Sequence, residues 1–138
     1  MLYRAIVIDP EKKFIDVIVT DGSLSHMKAM IGAASLDSFR VADFEDESWD
    51  YGWVNDTGLA DGKPIHAFLF SSRKDPVAGR CLLLGVDKET RDTTDAKFPL
   101  DVLRANITWL GLILPEVTWD ENDGVIHAIV TYARVRSA

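Results

Sequence analysis

Apolar residues in this chain fall into short runs, some alternating and some unbroken, separated by polar turn chemistry. "LYRAIVID" (2–9) and "KFIDVIVT" (13–20) are rich in β-branched residues and flank Pro10-Glu11-Lys12, a pattern that predicts a hairpin. In its second strand Ile15, Val17 and Val19 share one face, expected to look into the core, opposite Phe14, Asp16, Ile18 and Thr20. Next, Leu24, Met27, Met30 and Ile31 recur at helical spacing. Asp21 or Ser23 is placed to cap that helix, and Gly32 to stop it.

Further strands are expected at "SFRVADFE", "DYGWV", "IHAFLFS" and "RCLLLGV", separated by the turn-forming "NDTGLADGKP", the loop "SRKDPVAG" and, after the last, the charged "DKETRDTTDAK". "PLDVLRANITWLG" (99–111) reads as a second helix. Pro99 suits its first position, Leu100, Leu103, Ile107 and Leu110 form a stripe, and Gly111 ends it. "LILPEVTW" and "VIHAIVTYARV" flank "DENDG" as a C-terminal hairpin. The sum is about eight strands and two short helices in hairpin-like succession. That predicts one α+β domain over residues 1–138 with a mostly antiparallel sheet.

Composition adds limits. The chain has 138 residues, 47% apolar, with a mean hydropathy of +0.01, ordinary values for a water-soluble domain. Its apolar runs fall far short of the roughly 20 residues of a membrane helix, and the N-terminus reads as a strand and not as a signal peptide. The lone Cys81 rules out an internal disulfide and fits a reducing, cytoplasmic setting. Net charge is −7, and the imbalance sits in residues 1–62, which hold five basic and twelve acidic residues. That balance speaks against direct binding to nucleic acid through phosphates.

The densest charge lies in "DFEDESWDYGWVND" (43–56), with six acids, two Trp, one Tyr and no base. As a calcium loop it lacks the Gly that must turn the backbone, and "DENDG" lacks its downstream acid, since Thr131 stands there. As a partner-binding surface it offers Glu45, Asp46, Glu47, Trp49, Asp50, Tyr51 and Trp53, an aromatic-acidic mixture suited to an interface. As plain structure, Trp49, Tyr51 and Trp53 alternate on a strand and pack inward while the acids solvate an edge. The structural reading carries most weight, with the interface as its rival.

Other chemistry is sparse. His26, His66 and His127 stand on separate elements, without the close pair typical of a zinc site. No Ser has the flanking glycines of a nucleophile elbow, and Cys81 lies in an apolar strand where thiols are inert. Gly79 and Gly85 bracket a strand instead of cradling a phosphate. Asn55 and Asp56, with Arg73, Lys74 and Arg80, lie in loops that can converge on a small anionic ligand.

The order "VNDTGL", then "GKP", then "PVAGRCLLLGVD" resembles a small family of uncharacterised proteins from bacteriophages, plasmids and bacteria, a domain of unknown function. The likeness spans roughly residues 50–112. It implies no known reaction, cofactor or catalytic residue, and suggests a mobile-element accessory protein. The leading expectation is a non-enzymatic phage or mobile-element factor that binds a host protein. The alternatives are a small-ligand binder with its pocket at the loops around 55–64 and 72–80 and, more weakly, a metal-dependent hydrolase using Asp or Glu. Exposed strand edges also allow a homodimer paired across a twofold axis.

Overall fold

The computed structural model describes residues 1–135. In chain order the elements are β1 (Tyr3–Asp9), β2 (Phe14–Thr20), α1 (Leu24–Ile31), β3 (Leu36–Phe44), β4 (Ser48–Asn55), β5 (Ile65–Phe70), β6 (Val77–Ala78), β7 (Cys81–Asp87), β8 (Thr93–Thr94), α2 (Leu100–Ala105), β9 (Ile107–Asn122) and β10 (Val125–Arg134). The eight longer strands match the expected ones in kind, and β6 and β8 are two-residue additions.

These strands form two sheets, antiparallel in every pairing. The first runs β2-β1-β7-β4-β3, with β8 beside β7; the second runs β10-β9-β5-β6. The fold is therefore α+β and mostly antiparallel. Strands β1 and β7 lie at the centre of the first sheet and are covered on both faces, which explains their unbroken apolar runs. On one face Ile6, Ile8, Cys81 and Leu83 meet Phe68, Phe70 and Val77 of the second sheet, with Leu103 of α2 alongside. On the other face Ala5, Val7, Leu82 and Leu84 meet Met27 and Ile31 of α1. The layers are thus helix, sheet and sheet.

Helix α1 forms as its sequence dictates. The Ser23 hydroxyl accepts from the His26 backbone N–H, and Gly32 adopts φ 77° at the C-cap. Asp21, the other cap candidate, braces the entry by accepting from the Ser23 N–H.

Three expectations are corrected. In β2 only Ile15 of its expected core face is buried, while Val17 and Val19 stand exposed. This strand is an edge, and Ile18 on the opposite face packs beside α1. The second helix spans only Leu100–Ala105, and β9 starts at Ile107. Tertiary pairing overrides the helical spacing there: Ile107 lies opposite Phe70 and Trp109 opposite Phe68, both facing the core. Gly111 does not end a helix. It takes φ 73° inside β9, where the pairing with β5 shifts by a bulge. Third, inward packing holds only in part for the aromatics: Trp49, Tyr51 and Trp53 are half-buried and Trp53 packs against the α1 cluster, yet none of them occupies the inter-sheet face. Ser48, Asp50 and Gly52 do, and all three are buried. Small residues stand there because the Phe39 ring lies against Gly52, within 2.8 Å of where a Cβ would be.

Candidate functional site

The acidic stretch forms the β3–β4 hairpin, with Glu45, Asp46 and Glu47 exposed at its turn. Its charge does not stand alone. Lys88 pairs with Asp43 and also donates to the Glu45 carbonyl, and Lys97 reaches Glu47 at 2.5 Å. The hydrogen bond from Lys88 holds the Asp43 carboxyl below the usual carboxylate range, and that from Lys97 does the same for Glu47. Folding brings cations from the balanced second half onto the acid-rich first half, so the one-sided charge of the sequence is locally offset.

The aromatics are wrapped in the same way. The Arg40 guanidinium sits 4.3 Å from the Trp49 ring centroid, Arg91 4.8 Å and the Lys88 ammonium 5.2 Å, and Arg40 also lies 5.9 Å from Tyr51. Each contact sets a cation over the negative face of an aromatic ring. Trp53 packs toward the α1 cluster. Asp50 is fully buried and drops out of any surface reading. Its carboxylate accepts the Lys97 N–H and the Phe98 N–H, the latter at 2.9 Å. Burial pushes its pKa upward, opposed by those two backbone donors.

Of the five loop residues, Asn55, Asp56 and Arg73 come together. They line a pocket of about 140 Å³ with Asp37, Phe39 and Leu59. The Arg73 guanidinium stacks on the Phe39 ring at 3.9 Å, and its Nε is buried without a hydrogen-bond partner among the described residues. Lys74 is exposed and lines no part of this pocket. Arg80 lies apart from that pocket: its Nε donates to Asp9 at 3.1 Å and its Nη1 to the Met30 carbonyl at 3.2 Å. Together the two bonds tie Asp9 of β1 to the end of α1.

Among the described residues no group of three or more His, Cys, Asp or Glu could hold a metal ion. His26 bonds to Thr20 at 2.5 Å. Cys81 is fully buried, and burial pushes its thiol far up. No helix among them is long and apolar enough to cross a membrane.

A larger feature escaped the sequence reading. Strand β5 pairs with β9 only as far as Ile113, whereas β9 and β10 pair in one uninterrupted register out to Asn122 and Val125. The distal part of that hairpin is a two-stranded arm. Directly opposed residues share a face, so one face carries Pro115 with Tyr132, Val117 with Val130, Trp119 with Ala128, and Glu121 with Ile126. The other carries Glu116 with Thr131, Thr118 with Ile129, and Asp120 with His127. The first face is nearly all apolar, yet Trp119 is 70% exposed and Ile126 67%. The signal was present in the alternation of "PEVTWDE", but the register that aligns it with β10 is visible only once the turn is fixed at Asp123-Gly124.

A family model described as Domain of unknown function (DUF3846) matches residues 3–99. The match takes in the N-terminal hairpin and the acidic β3–β4 turn, which the resemblance had left outside, and it stops before α2, β9 and β10. No curated protein and no solved structure matches the chain. With most of its length under that model, the chain belongs to the DUF3846 family of proteins of unknown function.

Proposed function

We propose that this protein acts by binding another protein, without catalysing a reaction, and that the β9–β10 arm is its binding surface. The observation that carries the reading is the apolar face of the arm, which runs from Pro115 to Ile126 and ends in exposed Trp119 and Ile126. Two strands alone are marginal in water, and exposed apolar surface rimmed by polar residues marks an interaction site. The role of a phage or mobile-element accessory factor acting on a host protein remains the finer form of this reading. The surface moves from the acidic hairpin, where Asp43 and Glu47 are ion-paired and cations cover the Trp49 ring, to the arm.

A photo-crosslinking residue in place of Trp119 tests it, with one in place of Asp61 as reference. The expected result is a discrete protein adduct from position 119, lost when Ile126→Asp is added. Identical adduct patterns from both positions would defeat the reading.

A second reading has its own observation. The pocket around Arg73 offers a buried, unpartnered Nε–H donor next to Asp37, Asn55 and Asp56, and buried donors normally find acceptors. A small ligand with a carboxylate group fits that donor. Thermal-shift screening against small carboxylates is expected to give a shift that Arg73→Met abolishes, because lysine or methionine cannot reproduce a stacked guanidinium. A shift unchanged in Arg73→Met would remove this reading.

A further inference from the structure

Among the described residues the outermost strands of the two sheets are β2, β3, β6 and β10, and the first three are guarded; the outer side of β9 is open beyond Ile113 as well, but carries Pro115 and three acids. Along β2 the Asp16 carboxylate accepts the neighbouring Val17 N–H at 2.8 Å. Along β3 Asp37 does the same for Ser38 at 2.8 Å, and a bulge follows between Arg40 and Ala42. Edge β6 is two residues long. These are the means by which proteins stop strands from pairing with other chains.

Edge β10 has none of them. Its ten residues, VIHAIVTYAR, include no Lys, no Pro, no acid and no bulge, and their one fixed charge is the terminal Arg134. Its outward hydrogen-bonding groups can be assigned. Val135 N–H donates to the carbonyl of its opposite residue Leu112, at 2.8 Å. Hydrogen-bonded and non-bonded pairs alternate along an antiparallel ladder. Odd-numbered residues of β10 therefore bond to β9, and Ile126, Ala128, Val130, Tyr132 and Arg134 turn their N–H and C=O groups outward. Among the described residues nothing meets them.

We infer that the occupant of this edge is a second copy of the chain, joined β10 to β10 about a twofold axis through Val130. This deepens the reading of the arm as a binding surface and rests on it. Val130 is the middle of the five outward residues, so an antiparallel copy aligns Val130 with Val130, Ala128 with Tyr132, and Ile126 with Arg134. All five outward pairs then close, with about ten main-chain hydrogen bonds. No like charges face each other.

The side chains agree with that register. The outward residues all project onto the apolar face, so the two faces become continuous. One row across the four strands reads Trp119, Ala128, then Tyr132 and Pro115 of the second copy. The small Ala128 leaves room for the indole and the phenol to close over it. The central row is four valines: Val117 and Val130 of each copy. The outermost row sets Glu121 and Ile126 beside Arg134 and Ile113 of the second copy, which places the only acid of that face in the row of the only cation.

Sedimentation velocity on the full chain tests the assignment with three variants. Val130→Pro removes an N–H that points away from β9, a position where a strand tolerates proline. Val130→Lys and Val130→Glu keep the backbone but set like charges opposite each other on the axis. The wild type is expected to be dimeric, each single variant monomeric, and an equal mixture of the Lys and Glu variants dimeric again. A monomeric wild type at high micromolar concentration, a dimer that Val130→Pro leaves intact, or no recovery on mixing overturns the proposal. The crosslink from position 119 reports separately. An adduct with a different protein in a monomeric chain keeps the binding function and discards the twofold edge; no adduct at all discards the binding function.

Discussion

Both carboxylate oxygens of Asp50 accept the backbone N–H of Lys97, at 3.1 and 3.0 Å, across 47 residues of sequence. One of them also accepts the Phe98 N–H. A buried acid in β4 thereby fixes the segment that leads into α2. Removing it leaves two part-buried backbone donors without their acceptor, at about 1 kcal/mol each. Asp50→Ala is therefore expected to lower the denaturant midpoint strongly, and a midpoint unchanged from wild type would show that the segment is held by other means.

The pH response separates two kinds of acid. Burial raises the Asp50 pKa in the folded state, so the part of its contribution linked to ionisation is fully present below the unfolded value, near 3.9, and is lost as pH rises through the folded one. Asp87 is the opposite case. It accepts the backbone N–H groups of Thr90 and Glu89, which lower its pKa, so its contribution is present at neutral pH and lost as pH falls through the depressed value. Denaturation curves should show the stability gap between wild type and Asp87→Ala closing on acidification. The gap between wild type and Asp50→Asn should instead widen.

Gly85 marks a close approach. A Cβ there would lie 2.4 Å from the Asp95 carbonyl oxygen, a backbone atom held by the β7–β8 pairing. Gly85→Ala is expected to cost about 3 kcal/mol through overpacking. Calorimetry of the purified variant checks this, and a melting temperature close to wild type would refute it.

The Cys81 thiol is fully buried, and burial disfavours its thiolate. An aromatic disulfide reagent should leave the native protein unmodified and react at once in strong denaturant. Rapid native labelling would indicate an opening of β7.

The family match ends at residue 99, but the core does not. Leu103 is fully buried in the inter-sheet cluster, and β9 is the strand that joins β5 to β10 in the second sheet. A chain cut after residue 99 is expected to lose cooperative unfolding, as read by circular dichroism during urea titration.

Sequence reasoning worked where one local rule acted alone. Ser23 and Gly32 bound α1 because a cap and a left-handed stop need only their own few residues. The unbroken run LLL of β7 marked a buried strand. It failed where distant contacts decide. Leu100, Leu103, Ile107 and Leu110 satisfy helical spacing, yet Ile107 belongs to a strand because Phe70 stands opposite it. Alternation at Trp49, Tyr51 and Trp53 was real, but which side was inner depended on Phe39 and on Lys97-Phe98. The acid surplus of the first half was likewise legible, whereas its offset by Lys88, Arg91 and Lys97 required the folded proximity of residues some 40–50 positions apart. Of the expected ligand residues, Asn55, Asp56 and Arg73 converge, and Arg80 is diverted to Asp9.

Strand β9 is one sixteen-residue element with two employments: its first half is laced to β5, and its second half is the spine of the arm. The bulge beside Gly111 lies within the laced half, and beyond it β9 pairs with β10 without a register shift. A pull on the hairpin tip is delivered as shear along the β5 ladder, which places the mechanical anchor of the arm beside the inter-sheet core.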